Sequence, residues 1–513
     1  RTRGRLPATH AAFRQRRASL MIGNTPSFSW MLLTDLYQLT MAYGYWKRKL
    51  TQREAVFHLF FRRAPFKGGF TVAAGLESVV HFLENFRFSS SDLTYLSSLK
   101  GQEGTPLFEP AFLDYLSSLE FTGDVDAVAE GSVVFPYEPL FRVQGPLIVC
   151  QLLETPLLNL VNFPTLIATK AARVCLAARG DPVLEFGMRR AQGVDGALTA
   201  SRAAYIGGCS STSNVLAGKL YHIPVRGTHS HSWVMVFDDE LEAFQEYAAA
   251  LPSECIFLVD TYNSLEGVKK AIVVGRSLKE QGHTLKGIRL DSGDLADLSM
   301  KSRQLLDEAG FSDALIVASN ELDETVIGEL KRQGARVDVW GVGTHLVTGD
   351  GQSALDGVYK LSAVRDPGGP WKDRIKLSEQ MLKVSNPGIL QVRRYFTPDA
   401  NVADVLYDTR GPLSPNMSTQ DAIDPLDPTR EWVIKKDLPF HDLLQPIFRS
   451  GKKVYSLPPL VTIQAHAKQE LAHFSIGIKR FLNPHSYFVG MEKSLYRRKV
   501  ALIKQMRQTK KQI

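Results

Sequence analysis

Cysteine is scarce in this sequence, which has only four among 513 residues. Cys150, Cys175, Cys209 and Cys255 lie far apart and form no Cys-x-x-Cys pair. The pattern therefore indicates neither a disulfide framework nor a cysteine zinc site. Because unpaired, scattered cysteines are typical of a reducing compartment, we predict a cytoplasmic protein.

Long hydrophobic runs are missing as well. The most apolar stretch is 147–169, where Glu154 is the only charge and Pro156 and Pro164 interrupt the run. A membrane span needs about 20 consecutive, predominantly apolar residues. We therefore predict two core helices in this stretch and no membrane partner.

Acidic residues are almost absent from both ends of the chain. Residues 1–20 carry six Arg and no acid, and 491–513 carry eight Lys or Arg against one Glu, so the ends account for the formal net charge of +8. Basic ends are usually solvated, and we predict no nucleic-acid partner. We interpret 1–30 as a basic leader, disordered or not native, whose Arg- and Ala-rich composition leaves organellar targeting as an alternative.

The whole chain is 44% hydrophobic and 22% charged, which is typical of a globular protein. Its length of 513 residues predicts two or three domains. The pattern at 32–83 predicts helix, strand, Gly-rich turn and helix, and 125–149 predicts short antiparallel strands. We predict an N-terminal α+β domain over 31–155. A C-terminal domain over 366–513, with an amphipathic helix near 489–506, would pack back on it.

The segment 156–365 alternates short apolar runs with amphipathic stretches at the spacing of βα units. The runs are 183–186, 223–225, 255–259, 287–290, 314–318 and 337–340, and polar or Gly-rich clusters follow them at 189–190, 227–231, 260–263, 291–294, 319–320 and 341–344. Each cluster alone could be a turn or a helix cap. In a (β/α) barrel, however, the loops after the strands meet at one mouth, where active sites form. We therefore predict a barrel with one shared site.

Several clusters suit an anionic substrate. The segment Gly341 to Thr344 would present backbone N–H groups and a hydroxyl to a phosphate, with Ser319 nearby. Arginines are placed at the same mouth, and a guanidinium binds phosphate or carboxylate through paired hydrogen bonds. Aspartates at 260, 291 and 294 could hold Mg²⁺ or accept hydrogen bonds from ribose, although Asp294 could equally cap a helix.

Two histidines, His229 and His231, flank Ser230 in the cluster at 227–231. No third ligand at a suitable spacing supports zinc. A neutral imidazole near phosphate-binding groups can act as a nucleophile, as a general base or as a packed side chain, and the spacing leaves these roles open.

Six motifs together resemble the nicotinate phosphoribosyltransferase family. They are Leu32-Leu-Thr-Asp-Leu-Tyr-Gln38, Phe61-Arg-Arg63, Glu185-Phe-Gly-Met-Arg-Arg-Ala-Gln192, Gly227-Thr-His-Ser-His-Ser232, Arg289-Leu-Asp-Ser-Gly-Asp294 and Gly341-Val-Gly-Thr344. The resemblance implies an α/β fold of the type II phosphoribosyltransferase kind, with an irregular (β/α) barrel, an N-terminal α+β domain and a C-terminal extension. It implies synthesis of nicotinate mononucleotide and diphosphate from nicotinate and 5-phosphoribosyl 1-diphosphate, coupled to ATP hydrolysis, as the first step of NAD biosynthesis from nicotinate.

The resemblance also implies residue roles. His231 would be the histidine that ATP phosphorylates transiently. Nicotinate would be bound by Tyr37, Thr228 and Arg289, with Phe186 as a further aromatic able to stack on the pyridine ring. Phosphoribosyl diphosphate would be bound by Arg189, Asp291, Ser319, Gly341, Gly343 and Thr344. Mg²⁺, or Mn²⁺ in its place, would bind at Asp260 and Asp291, and Tyr37 would reach the site of the other subunit in a homodimer.

Rival functions make different demands on the barrel. Quinolinate phosphoribosyltransferase would need a second cation for the extra carboxylate, and nicotinamide phosphoribosyltransferase would need a partner for a neutral amide. A phosphosugar aldolase or isomerase would need a catalytic Lys or Glu at a strand end, which none of the six clusters supplies. A non-catalytic binding protein on the same fold would tolerate decay of the catalytic positions.

Overall fold

The structure is a computed structural model that describes residues 29–380, 383–411, 421–435 and 438–509. Apart from its last two residues, the predicted leader at 1–30 lies outside the described residues.

The N-terminal part alternates short helices with strands. Its elements are α1 (Leu36–Lys47), β1 (Glu54–Phe61), β2 (Thr71–Val72), α2 (Leu76–Glu84), α3 (Ser90–Ser98), α4 (Pro110–Ser117), β3 (Asp124–Ala127), β4 (Val133–Val134), β5 (Phe141–Pro146) and α5 (Leu147–Leu152). The helix, strand and helix predicted at 32–83 and the antiparallel strands predicted at 125–149 are confirmed. All residues of β1 after Glu54 are buried, as expected for an apolar strand with neighbours on both sides.

The long helix α6 (Glu154–Ala178) begins the central part, and Pro164 lies inside it without ending it. The predicted division of the apolar stretch into two helices is confirmed, but the break falls at Leu153. Pro156 lies in the first turn of α6, where a missing N–H leaves no helical hydrogen bond unmade. By length and composition, Leu147–Ala178 could cross a membrane, yet 61% of its most apolar window is buried inside the fold. That burial is typical of a core helix.

The rest of the central part follows a βα pattern. It consists of β6 (Val183–Glu185), α7 (Gly193–Ile206), β7 (Ser211–Thr212), α8 (Val215–Tyr221), α9 (His231–Met235), α10 (Glu240–Ala250), β8 (Ile256–Leu258), α11 (Ser264–Glu280), β9 (Gly287–Leu290), α12 (Leu295–Glu308), β10 (Leu315–Ala318), α13 (Glu324–Arg332), β11 (Val339–Val342) and α14 (Thr344–Val347). Five of the six predicted strands are confirmed, although β11 begins two residues later than predicted.

The central strands form one parallel sheet in the order β7-β6-β11-β10-β9-β8. The strand predicted at 223–225 is wrong, because Val225 makes one isolated bridge, to Thr212 of β7. Four residues later, His229 Nε2 accepts a hydrogen bond from the Leu258 N–H of β8. The segment 225–229 therefore links both edges of the sheet and closes it into an irregular barrel.

The C-terminal part is mostly strand. It contains β12 (Gly357–Arg365), β13 (Lys372–Asp373), β14 (Leu390–Phe396), β15 (Asn401–Asp408), β16 (Asp421–Ile423), β17 (Glu431–Val433), β18 (Phe440–Asp442), β19 (Gln445–Arg449), β20 (Lys452–Lys453), α15 (Leu460–Ala472), β21 (Val489–Glu492) and α16 (Lys493–Thr509). The helix predicted near 489–506 begins four residues later, because its first four residues form β21.

A seven-stranded sheet, β13-β12-β1-β5-β3-β19-β20, takes strands from all three predicted segments. β12 falls within 156–365, which was predicted as the barrel domain, but it pairs antiparallel with β1 of the N-terminal part. β19 pairs with β3, so the C-terminal segment also returns to the N-terminal part. A third sheet, β17-β16-β21-β15-β14-β18, is built from the C-terminal segment alone.

Candidate active site

The loops after β8, β9 and β10 are connected to one another by short polar contacts. The Asp260 Oδ2 atom accepts hydrogen bonds from the Asp291 N–H at 2.9 Å and from the Ser292 hydroxyl at 2.6 Å. The Ser319 hydroxyl donates to Asp291 Oδ1. The predicted meeting of these clusters at one mouth is therefore observed.

The imidazole of His231 lies between two of these loops. Its Nδ1 is 3.2 Å from the Thr261 hydroxyl, and its Nε2 is 3.6 Å from Asp291 Oδ2. Its side chain is 40% exposed, so a substrate can reach the ring. An imidazole oriented by a carboxylate on one nitrogen is suited to nucleophilic or acid–base chemistry.

Arg289, the third residue of β9, extends toward Thr228. Its Nη1 donates to the Thr228 hydroxyl at 2.5 Å, while its buried Nε has no hydrogen-bond partner in the described part of the chain. Burial lowers the pKa of Arg289, the nearby Asp291 and Asp260 oppose that shift, and the charge of Arg189 adds to it. A desolvated guanidinium with an unused donor is suited to a carboxylate ligand.

The phosphate loop predicted at 341–344 is shorter than expected. Gly341 and Val342 belong to β11, Gly343 is the residue before α14, and Thr344 is the first residue of that helix. A Cβ atom at position 341 would lie 2.7 Å from Cδ2 of Phe186. The predicted loop position of Gly341 is therefore wrong, since this glycine makes room for the Phe186 ring.

The aspartates of the mouth have distinct contacts. Asp294 accepts hydrogen bonds from the backbone N–H groups of Ala296 and Asp297 at 3.1 Å, so it caps α12 as the alternative interpretation held. Both oxygens of Asp291 face neighbours, Ser319 and His231. In contrast, Asp260 Oδ1 is buried and has no hydrogen-bond partner among the residues the structure describes.

The donor set at the mouth can be compared with the needs of a divalent cation. Within the described ranges, no group of three or more His, Cys, Asp or Glu side chains is placed to hold a metal. Mg²⁺ is usually bound through one or two carboxylates, with water and substrate phosphates completing its shell. The unused Asp260 oxygen beside Asp291 fits that mode of binding and does not fit an all-protein metal cage.

Two predicted site residues make no hydrogen bond to this cluster within the described ranges, although Arg189 lies close enough to Arg289 for its charge to lower the pKa of that residue. Arg189 is exposed in the single helical turn Met188–Arg190 after β6. Tyr37, 49% exposed on α1, lines a cavity of about 320 Å³ together with Asp35, Thr155 and residues 353–355, which follow α14, and no other predicted site residue lines this cavity. A single chain therefore does not bring Tyr37 to the mouth.

The sequence reasoning missed Thr261 and Glu185. Thr261 belongs to the cluster at 260–263, so the same strand-end rule would have identified it. Glu185 ends β6 and is buried, and it accepts hydrogen bonds from the Gly187 N–H and from the hydroxyls of Ser201 and Thr212. It supports the turn that carries Phe186, a role that its strand position alone does not reveal.

Comparison with known proteins agrees with this geometry. Residues 32–162 match the nicotinate phosphoribosyltransferase (NAPRTase) N-terminal domain, 182–365 the NAPRTase family and 390–499 the NAPRTase C-terminal domain. Nicotinate phosphoribosyltransferase of Bacillus subtilis is 43% identical over 483 residues, which cover 93% of this chain and 96% of that protein. The chain belongs to the nicotinate phosphoribosyltransferase family.

Human relatives support the same assignment. Nicotinate phosphoribosyltransferase of Homo sapiens is 36% identical over 521 residues, covering 90% of this chain and 95% of that protein. The crystal structure of human nicotinic acid phosphoribosyltransferase matches with a TM-score of 0.79 and 34% identity, over 91% of this chain and 99% of that chain. The predicted family and fold class are thereby confirmed.

Proposed function

We propose that this chain transfers the phosphoribosyl group of 5-phosphoribosyl 1-diphosphate to nicotinate, forming nicotinate mononucleotide and diphosphate. The observation that carries the proposal is the partly buried Arg289 guanidinium, hydrogen-bonded to Thr228 and set beside the pair formed by His231 and Asp291. This arrangement offers a carboxylate-binding cation next to a reactive imidazole, in a family whose members are named for this reaction.

The nicotinate carboxylate accepts hydrogen bonds from Arg289 and from the Thr228 hydroxyl, whose hydrogen turns to it from the His229 carbonyl oxygen. Phe186, seated against Gly341, offers an aromatic face to the pyridine ring. The pyridine nitrogen attacks the anomeric carbon of the ribose, and the bond from that carbon to the diphosphate oxygen breaks with its electron pair leaving on the diphosphate. Fixed charges that match the oxocarbenium-like transition state lower the barrier.

Arg189, Ser319, Gly343 and Thr344 bind the phosphoribosyl diphosphate. Ser319 is already oriented by its hydrogen bond to Asp291. Mg²⁺, or Mn²⁺ in its place, would be held at Asp260 with help from Asp291 and would neutralise charge on the leaving diphosphate.

ATP couples to the reaction through His231. A ring nitrogen takes the γ-phosphoryl group and ADP leaves, after which hydrolysis of the phosphohistidine releases phosphate and restores the imidazole. The support for this step is the accessible ring of His231, held between Thr261 and the Asp291 carboxylate.

The active form is a homodimer in which Tyr37 contributes to the mouth of the second subunit. Large apolar side chains are exposed on α1, at Leu36 and Met41, and near the mouth, at Met235 and Val236. Val236 is 78% exposed and Met235 next to it is 66% exposed, so the end of α9 presents an apolar surface. Pairing these two surfaces would bury both and bring Tyr37 to the site.

The test is an assay of diphosphate release with nicotinate, nicotinamide or quinolinate, each with and without ATP. We expect release with nicotinate, stimulated by ATP. His231→Ala should lose the ATP stimulation and keep part of the basal transfer. Release with nicotinamide alone would assign the rival activity, and no release with any of the three would favour a binding protein.

A further inference from the structure

The barrel is incomplete between β7 and β8, and a side chain fills the gap. β8 pairs along one side with β9, while on its other side the Leu258 N–H meets no strand and donates to the imidazole Nε2 of His229 at 3.2 Å. Without that acceptor a buried backbone donor would be left unsatisfied, which destabilises the folded state. His229 thus takes the place of a missing strand carbonyl.

The imidazole of His229 is held firmly in this position. It is 7% exposed and packs among the rings of Phe244, Tyr247 and Phe257, with centroid distances of 6.1, 4.9 and 6.3 Å. Its Nδ1 lies 3.3 Å from the Ser230 carbonyl oxygen. Burial lowers the pKa of His229 to about 4, so at neutral pH the ring is uncharged, donates through Nδ1–H and accepts at Nε2.

The residues on either side of His229 are the ones that meet the substrates. The Thr228 hydroxyl donates to the His229 carbonyl oxygen at 3.1 Å and accepts from Arg289. His231, two residues later, begins α9 and extends toward Thr261 and Asp291. The side chain between them, Ser230, is exposed and contacts the Ser232 hydroxyl, so it does not attach this loop to the barrel.

Resting on the function proposed above, we propose that His229 is a positioning residue, whose hydrogen bond to β8 fixes the loop that presents Thr228 to nicotinate and His231 to ATP. It touches neither substrate and acts through its two neighbours. Loss of the Nε2 acceptor would let the loop move away from β8. A displacement of about 1 Å at reacting groups can cost up to about a hundredfold in rate.

The experiment compares His229→Asn with His229→Gln. Both carry the same neutral amide, but a glutamine oxygen can reach the position of Nε2, while an asparagine oxygen reaches only as far as Nδ1. The readouts are the rate of label transfer from γ-labelled ATP to the protein and the KM for nicotinate without ATP. We expect H229N to label about tenfold more slowly with a raised KM, and H229Q to stay within about threefold of the unmutated protein.

His58 provides a matched control. It is also a buried imidazole, 2% exposed, whose Nε2 accepts a backbone N–H, that of Leu390 at 3.1 Å, but it lies on β1 outside the barrel. H58N should lower the melting temperature as H229N does and leave both the labelling rate and the nicotinate KM unchanged.

The outcomes separate the positioning role from its alternatives. Normal labelling and KM in H229N, or equal impairment in H229N and H229Q, would overturn the proposal, as would the same functional loss in H58N. If H229N does not fold, it is replaced by H229F, which keeps a packed ring and has no acceptor. If neither variant folds, His229 has a purely structural role. Unmutated protein that takes no label would refute the phosphohistidine step, while the nicotinate KM would still test His229.

Discussion

Replacing Arg289 with Gln is expected to weaken nicotinate binding selectively. The guanidinium has one donor on Thr228 and a buried Nε without a partner in the described ranges, so it can offer charge-assisted hydrogen bonds to a carboxylate. A hydrogen bond to a charged group contributes about 1.5–3 kcal/mol, which corresponds to roughly 10- to 150-fold in affinity. Because Arg289 is largely desolvated, we expect the upper part of this range for R289Q.

The assay measures KM for nicotinate and for nicotinamide at saturating phosphoribosyl diphosphate. Nicotinamide has no carboxylate, so its KM should change by less than about threefold in R289Q. Arg289→Lys keeps the charge but lacks the planar fork, and an intermediate KM for nicotinate is expected. A control, Thr228→Val, removes one contact and keeps the cation, so its effect should be smaller. Equal changes for both substrates in R289Q would refute carboxylate recognition by Arg289.

Three further predictions concern the surroundings of the site and the core. Gly341→Ala places a Cβ atom 2.7 Å from the Phe186 ring and should raise KM for nicotinate more than KM for phosphoribosyl diphosphate; the reverse pattern would return Gly341 to a phosphate-binding role. Burial lowers the pKa of His345, but its hydrogen bonds to Asp350 and Glu321 outweigh burial and the net shift is upward. The ion pairs of His345 with Asp350 and Glu321 join the segments on either side of Thr344. They should persist at low pH and weaken as pH rises through the raised pKa of His345, and this loss should increase the KM for phosphoribosyl diphosphate. In His345→Gln this pH dependence should vanish. Burial, and next the charge of Asp404, raises the pKa of Glu138 well above its usual value, so the folded protein keeps this carboxyl protonated. The free energy of unfolding should therefore fall as pH rises from the pKa of Glu138 in the unfolded chain toward its raised pKa in the folded protein. Glu138→Gln, which stays neutral, should show a smaller fall in urea midpoint between about pH 5 and pH 8, and an unchanged fall would contradict the protonated state.

Much of the site could be predicted from the sequence because its signals are local. The run 287–290 forms β9 with the predicted bounds, and Asp294 caps the helix that follows. An apolar run followed by Asp, Ser or Gly specifies both a buried strand and its exposed end. The rule predicts Asp260, Asp291 and Ser319 at one mouth, where the structure connects them by hydrogen bonds.

Other features depend on partners that are distant in sequence. The run 223–225 is as apolar as its neighbours, but a strand needs a continuous pairing edge, and Thr212 alone pairs with it. Likewise, β12 follows the barrel in sequence but pairs with β1, more than 290 residues earlier. No local pattern specifies which edge a strand will meet, since hydrogen bonds of a sheet join residues that the periodicity treats separately.

The amino-acid sequence by itself determined the family, the order of the βα units and the residue types that gather at the mouth. The tertiary structure alone decided that Gly341 accommodates a ring and that Asp260 keeps an unused oxygen. It also distinguished the two histidines of one loop, leaving His231 accessible and burying His229 against β8. The reason is physical: exposure and hydrogen-bond partners are properties of the packed environment, and two chemically identical side chains separated by one residue acquire different ones.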